Sequence, residues 1–325
     1  MEIELRNGMD KAYRIQRAVQ TLKRLASLWA FVVTITLFAL ITRGRSISIQ
    51  NLVFIFNQSV IIILAGMGLI FVMSQGSFNM SPGAIVALAP LLGYLSDQVI
   101  PGLFIPVTIL SGAMVGAVIG GIFANMKVPS FILTLSASFI IRNTAIVIFG
   151  GIPNGLIILP MGLIILDEPV PKIIAVAALG AITAWLFHYN KIGKWCKAIG
   201  SDENVAKYSG VLIRRMKFVA FTISGLMAGI TAIFVSIRTG SVTMRSGNFL
   251  EFDVLIALLL GGVPLSGGPS SRMLGVYLGA ITISIINNGL AILNVTTIYQ
   301  ELVKGAMLLL LVAITFERGK VMEIK

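Results

Sequence analysis

Charge is what this chain has least of. Only 12% of its 325 residues are Asp, Glu, Lys or Arg, whereas an ordinary soluble domain carries about a quarter. A single cysteine, Cys196, excludes an intrachain disulfide, and a single histidine, His188, leaves no His/Cys metal cluster. Both are read as structural residues at a membrane edge. No Gly-x-x-x-x-Gly-Lys-Ser/Thr stretch occurs, so the chain has no phosphate-cradling loop with which to hydrolyse ATP. The Gly-rich tract GGVPLSGGPSS lacks the required Lys and reads as a chain reversal or cavity lining between apolar segments. With no Ser/His/Asp or Cys/His set either, the sequence describes a non-enzyme, without catalytic residues, cofactor or bound metal.

What is abundant is apolar length. Hydrophobic residues make up 57% of the chain, and about 20 mostly apolar residues suffice for a helix to cross the hydrocarbon core. The expectation is an all-α polytopic membrane protein with about ten transmembrane helices, near 25–43, 57–75, 82–99, 103–125, 130–150, 171–188, 218–237, 251–266, 273–293 and 297–316. The span at 251–266 is the weakest. Gly261, Gly262, Pro264, Gly267, Gly268 and Pro269 interrupt it, and a broken or re-entrant helix fits as well as a clean one. The basic stretch before residue 25 resembles a secretory leader, but the following run is long enough to span and TRGRSIS offers no Ala-x-Ala site. Residues 1–24 are therefore expected as a cytoplasmic segment, and 25–325 as one transmembrane domain with a cytoplasmic loop at 189–217.

Basic residues give an independent test of this topology. With ten crossings and an inward N-terminus, eighteen fall inside, among them six in 1–24, Lys127, seven in 191–217 and Arg272. Five fall outside (Arg43, Arg45, Lys172, Arg238, Arg245), while Arg142 and Lys304 lie in spans. That bias is the positive-inside pattern, with both termini cytoplasmic. Glu251 and Asp253 count among the acids of outer loops and span edges.

Small residues recur every four positions at Gly112, Gly116 and Gly120, at Gly225 and Gly229, and at Gly275 and Gly279 with Thr282 and Gly289 continuing that face. Such faces let helix backbones approach, within one chain or between subunits. Polar residues in spans are rarer. Thr134, Ser138 and Arg142 share a face with Asn143 beside it, and Ser284, Asn287 and Asn288 share another. They line a hydrophilic path or hydrogen-bond between helices, and Arg142 alternatively snorkels to the surface.

One polar island stands in this apolar sequence, AIGSDENVAKYSGVLIRRMK at 198–217. Ser201 is a candidate N-cap, with Asp202 and Glu203 in a first turn that favours acids. Val205, Ala206 and Tyr208 offer a small apolar surface, and Gly210 is a natural left-handed stop. A short helix capped at both ends suits docking better than slack, although a plain interfacial helix has the same signature.

That island and the following FVAFTISGLMAGI resemble the cytoplasmic loop and next span of permease subunits of ABC importers for ribose and related simple sugars, a group that includes xylose, galactose and autoinducer-2 permeases. The resemblance continues through GSFNMSPGAIVALA, KVPSFILTLSASFIIRN, FLEFDVLIALLLGGVPLSGGPSSRMLGVYLGA, IINNGLAILNV and YQELVKGAMLLLLVA, from about residue 50 to the C-terminus. It implies a multi-pass protein of the bacterial plasma membrane. Its expected partners are a second permease subunit (homo- or heterodimer), a cytoplasmic ABC ATPase and an extracytoplasmic solute-binding protein, with no nucleic acid. By position, Ser201, Asp202, Glu203, Asn204, Val205, Ala206, Tyr208 and Gly210 would form the coupling helix that meets the ATPase. Two motifs depart from the family: Asn79 stands where an acid is common, and Val263 and Pro264 replace hydroxyl residues after Gly261 and Gly262.

The expected activity is ATP-driven import of a monosaccharide or similar small polar solute. Asn79, Ser81, Ser138, Arg142, Asn143 and Asn287 are the candidate path residues, since neutral amides and hydroxyls suit an uncharged polyhydroxylated solute. The alternatives are a permease for a nucleoside or amino acid, a gradient-driven carrier using Lys304, Glu301 or Arg142, and a non-transporting scaffold.

Overall fold

The computed structural model of the chain describes residues 27–126, 128–152, 156–159 and 161–315. The expectations for segment 1–24, for Lys127 and for Arg318, Lys320 and Lys325 lie outside these residues. The helices are α1 (Ser27–Ile41), α2 (Ile49–Met73), α3 (Pro82–Asp97), α4 (Phe104–Asn125), α5 (Ser130–Phe149), the single turn α6 (Met161–Ile164), α7 (Pro169–His188), α8 (Lys191–Ser201), α9 (Glu203–Tyr208), α10 (Ile213–Thr239), α11 (Leu250–Leu260), α12 (Met273–Ile292) and α13 (Thr297–Thr315). The fold is an all-α polytopic membrane fold. Its only strands among the described residues, β1 (Leu156–Ile158) and β2 (Ser241–Thr243), form a short antiparallel ribbon with Ile157 opposite Val242.

Every expected apolar segment is helical, because a chain in hydrocarbon must satisfy its own backbone groups. Six helices, α2, α4, α5, α7, α10 and α12, are long and apolar enough to cross a membrane. The expectation of ten crossings is thus met outright by six: α1 and α3 are shorter apolar helices, α11 has 11 residues, and α13 carries Glu301 and Lys304. The break expected in 251–266 is present. α11 stops at Leu260, and Gly262, Gly267 and Gly268 turn the chain with φ of 81°, 71° and 98°.

A second interruption precedes α3. The stretch 74–81 runs non-helically beside the start of α5, where Phe78 N donates to Ser130 Oγ at 2.9 Å and Met80 N to Thr134 Oγ1 at 3.1 Å. Hydroxyls of α5 thereby satisfy amides that no helix of their own would satisfy. Helix then begins at Pro82, whose missing N–H costs nothing at the first position.

The two halves of the bundle are built alike and run in opposite senses. The longest helices, α2 and α10, lie antiparallel at the centre: Gln75 after α2 donates to Met216 O near the start of α10, and Arg238 near the end of α10 stands over the Phe54 ring near the start of α2. Each is followed by an interrupted segment (74–81 with α3, 244–249 with α11) and two more helices (α4 with α5, α12 with α13). α10 packs on α4 as α2 packs on α12. The N-termini of α3 and α11 face each other, with Gly83 against Glu251. This is the arrangement of inverted repeats with broken helices meeting inside the bundle.

Glycine sets the closest of these contacts. A Cβ on Gly116 of α4 would lie 2.5 Å from Phe221 O of α10, and one on Gly112 would lie 2.7 Å from the Gly229 Cα. Gly275 and Gly279 of α12 press on Gly261 and Ala257 of α11, and Gly289 on Phe38 of α1. The small-residue faces read from the sequence are packed within one chain.

Candidate functional site

Where α3 and α11 meet, polar groups converge in the interior. Asn79 is buried; its Oδ1 accepts from Ser81 N at 3.0 Å and Ser81 Oγ at 2.7 Å, and its Nδ2 donates to Ser224 Oγ of α10 at 3.1 Å. Asn79 and Ser81 thus brace the turn that launches α3. From α5, Arg142 donates to Asn248 Oδ1 and, at 3.4 Å, to the Gly247 carbonyl, holding the stretch that launches α11. That stretch is conformationally demanding, since Phe249 has φ +59°, a left-handed setting disfavoured by roughly 1–2 kcal/mol for a residue with a Cβ. Arg142 is therefore a clamp between elements, not a side chain snorkelling to the surface. Ser138 lies buried one turn beyond Thr134, whereas Asn143 is exposed and donates to Phe139 O of its own helix at 2.8 Å.

Glu251 and Asp253 lie at the edge of the expected span 251–266, inside the bundle. Both sit in the first turn of α11, because the chain re-enters the bundle before starting that helix, and both lie at the favourable positive end of its dipole. Glu251 is buried against Gly83, with Oε2 bonded to nothing among the described residues. Asp253 reaches Lys304 Nζ of α13 at 2.9 Å and accepts from Asn287 Nδ2 of α12 at 3.4 Å, while Glu301 approaches the same ammonium at 3.2 Å. Two ion pairs therefore share one cation deep in the bundle. Intramembrane charge of this kind is costly unless paired, and here Lys304 and Asp253 pair with each other.

The polar island forms a second centre at one end of the bundle. α9 is capped by Asp202, one residue later than the expected Ser201: Asp202 Oδ1 accepts from Asn204 N at 2.8 Å and Val205 N at 3.0 Å. Ser201 instead closes α8, whose Gly200 packs against the Ser74 carbonyl. At the other end Gly210 (φ +83°) permits paired bonds, Gly210 N to Lys207 O at 3.0 Å and Val211 N to Ala206 O at 3.1 Å, the double closure of a Schellman stop. Ala206 turns inward with Ile199, Val211 and Met216, so the apolar surface expected from Val205, Ala206 and Tyr208 is split. Val205 is 61% and Tyr208 90% exposed, facing away from the bundle. Glu203 anchors the helix to α10 through Lys217 at 3.0 Å.

Beneath α9 the free thiol of Cys196 is fully buried and accepts from Gln75 Nε2 at 3.0 Å. Burial pushes it up to about 11, outweighing the opposing Gln75 hydrogen bond, so it is a neutral core group at physiological pH.

A doubly capped helix thus stands at one end of an inverted-repeat membrane bundle. Residues 51–312 match the family described as branched-chain amino acid transport system / permease component. The chain belongs to this family. Among its relatives, the ribose import permease protein of Bacillus subtilis (strain 168) is 31% identical over 83% of this chain and 85% of its own length. The ribose import permease protein of Escherichia coli (strain K12) is 28% identical over 89% and 92%. The xylose transport system permease protein of the same strain is 28% identical over 87% and 89%. No solved structure matches the chain.

In this permease the structure joins Asn79, Ser81 and Arg142 to the meeting point of the broken helices and Asn287 to the adjoining ion pair. The residues that sequence reasoning undervalued are Glu251, Asp253 and Ser224. Two acids bounding an apolar run were the available signal for the first two, since intramembrane carboxylates are functional candidates by default. Ser224, in a span rich in small residues, gave none.

Proposed function

We propose that this permease is the membrane subunit of an ABC importer that carries a monosaccharide or similar small polyhydroxylated solute across the bacterial plasma membrane. In this reading α1, α3, α11 and α13 are completed by the stretches beside them to give ten crossings, and the eighteen-to-five distribution of basic residues supports cytoplasmic termini and a cytoplasmic α9. The observation that carries the reading is α9, a doubly capped helix that presents Val205 and Tyr208 outward. A cytoplasmic ATPase that clamps this helix moves α10 through the Glu203–Lys217 link and the Ala206 cluster. The central α2–α10 pair then shifts between inward- and outward-open arrangements. A second permease subunit and an extracytoplasmic solute-binding protein complete the assembly.

For the solute, the relatives named for ribose and xylose support a sugar, and the chemistry of the centre agrees. Amides and hydroxyls gather there (Asn79, Ser81, Asn287, Ser224) while Lys304 and Asp253 neutralise each other, a lining that suits a polyhydroxylated cargo. The family's description keeps a branched-chain amino acid as the second reading. Uptake of labelled pentose and of labelled leucine by the reconstituted complex with its binding protein separates the two: ATP-dependent accumulation of pentose alone is expected, and accumulation of leucine alone overturns the sugar assignment.

A further inference from the structure

The corner between α7 and α8 gathers cations without anions. Gly193 lets α8 press against the Phe187 carbonyl, fixing the turn. Lys197 Nζ then stands 4.2 Å over the buried Phe187 ring, and the His188 ring meets the same ring edge-on at 5.3 Å. Arg272, exposed at the start of α12, is close enough to repel both. Lys191 and Lys194 extend the patch, since residues three apart on α8 share one arc, with Trp195 at its edge. None of these cations forms an ion pair with a carboxylate among the described residues; the acids that do pair there are Asp167, Glu203, Asp253 and Glu301.

Two further features at this place ask for an anion. α12 begins with no side-chain cap, so the positive end of its dipole stands beside Arg272, with only the third amide of its first turn, Gly275 N, bonded back to Arg272 O at 3.1 Å. A partly buried lysine on a ring, repelled by an arginine, has its ammonium form disfavoured by desolvation first and by that repulsion second. An anion at this point offsets the repulsion and favours the ammonium form.

The walls below the cations identify the source of the anion. One turn further along α7 and α12, Trp185 and Leu274 are exposed apolar side chains, and the two helices touch where the Tyr277 hydroxyl meets Gly180. Exposed apolar side chains thus flank the cations on two helices, α7 and α12, that are long and apolar enough to cross the membrane. We propose that His188, Lys197 and Arg272 bind the phosphate headgroup of an anionic phospholipid, whose acyl chains run along Trp185 and Leu274. The site depends on the membrane setting and not on the identity of the transported solute.

Native mass spectrometry of the full chain, purified from nanodiscs of equal phosphatidylglycerol and phosphatidylcholine, tests this. Wild type should retain phosphatidylglycerol selectively. Lys197→Gln/Arg272→Gln should lose that retention by roughly 25-fold, at about fivefold per neutralised cation near a membrane surface, while the charge-keeping Lys197→Arg/Arg272→Lys pair restores it. Retention unchanged in the Gln pair, equal retention of the zwitterionic lipid, or loss of the lipid to millimolar inorganic phosphate overturns the lipid assignment. So does a Gln pair that keeps its lipid but fails to bind the ATPase, which would make the patch a protein contact.

Discussion

Replacing Lys304 by Met is expected to be among the most damaging single changes in the interior. Its ammonium lies 2.9 Å from Asp253 and 3.2 Å from Glu301, with the Lys304 side chain 8% and the Asp253 side chain 14% exposed. Met fills a similar volume but leaves two neighbouring carboxylates facing each other with no cation, one of them buried. Breaking a buried pair this way costs about 3–5 kcal/mol. Asp253→Asn is milder at about 1–3 kcal/mol, because Lys304 keeps Glu301 and the amide still accepts a hydrogen bond. Lys304→Met/Asp253→Asn should therefore be more stable than Lys304→Met alone, with a coupling of about 1–3 kcal/mol between the sites. Denaturant titration in mixed micelles, followed by far-ultraviolet circular dichroism, reads all four proteins; each 1.4 kcal/mol is tenfold in the unfolding equilibrium. Lys304→Met within about 1 kcal/mol of wild type, or strictly additive costs, would refute the reasoning. A stable Lys304→Met protein that cannot transport would instead give Lys304 a role in moving ions or cargo.

Three further outcomes follow from the packing. Gly116→Ala should destabilise by roughly 1–3 kcal/mol because its Cβ would lie 2.5 Å from Phe221 O, whereas Gly121→Ala, 3.9 Å from the nearest ring atom, should be neutral or stabilising by up to about 1 kcal/mol; the same titration compares them. Asp202→Ala removes the two cap bonds of α9 and should cost about 1 kcal/mol locally, seen as faster amide exchange over 203–208 with the spans unchanged. Cys196 should resist maleimide near neutral pH until the protein is unfolded. Its raised value also makes stability pH-dependent: the contribution is fully present below the ordinary thiol value of 9.0 and lost as pH rises through about 11, a fall of at most about 3 kcal/mol. Cys196→Ala should lack that alkaline loss in a melting series.

Helix existence was legible wherever apolar length and a local stop coincided. The expected span at 82–99 begins at Pro82, in the first turn of α3, and Gly210 ends α9, whereas α8 lies in what the sequence offered only as a loop. The glycines of 261–268 likewise announced the break after α11. What could not be read locally rests on distant partners. The stretch 74–81 looks like an ordinary loop because the hydroxyls that satisfy it, Ser130 and Thr134, lie more than fifty residues downstream. Asp253 and Lys304 are separated by fifty-one positions and meet only because α11 enters from its buried end. At α9 two adjacent residues were both competent caps. Close packing of Gly200 on Ser74 extended α8 through Ser201 and left the role to Asp202. In the candidate path, Asn79, Ser81, Arg142 and Asn287 stood out as polar residues in apolar surroundings, but periodicity did not show that Asn143 is exposed on α5 and bonds its own helix.

The most direct measurement is ATP-driven pentose uptake and ATP hydrolysis, recorded together in proteoliposomes holding the permease, its ATPase and its binding protein, for wild type and for Asp202→Ala/Glu203→Ala/Tyr208→Ala. Uptake should fall at least tenfold in the triple variant while hydrolysis continues without coupling to it. Undiminished uptake in that variant, or accumulation in vesicles that contain no ATPase, would contradict the role given to α9.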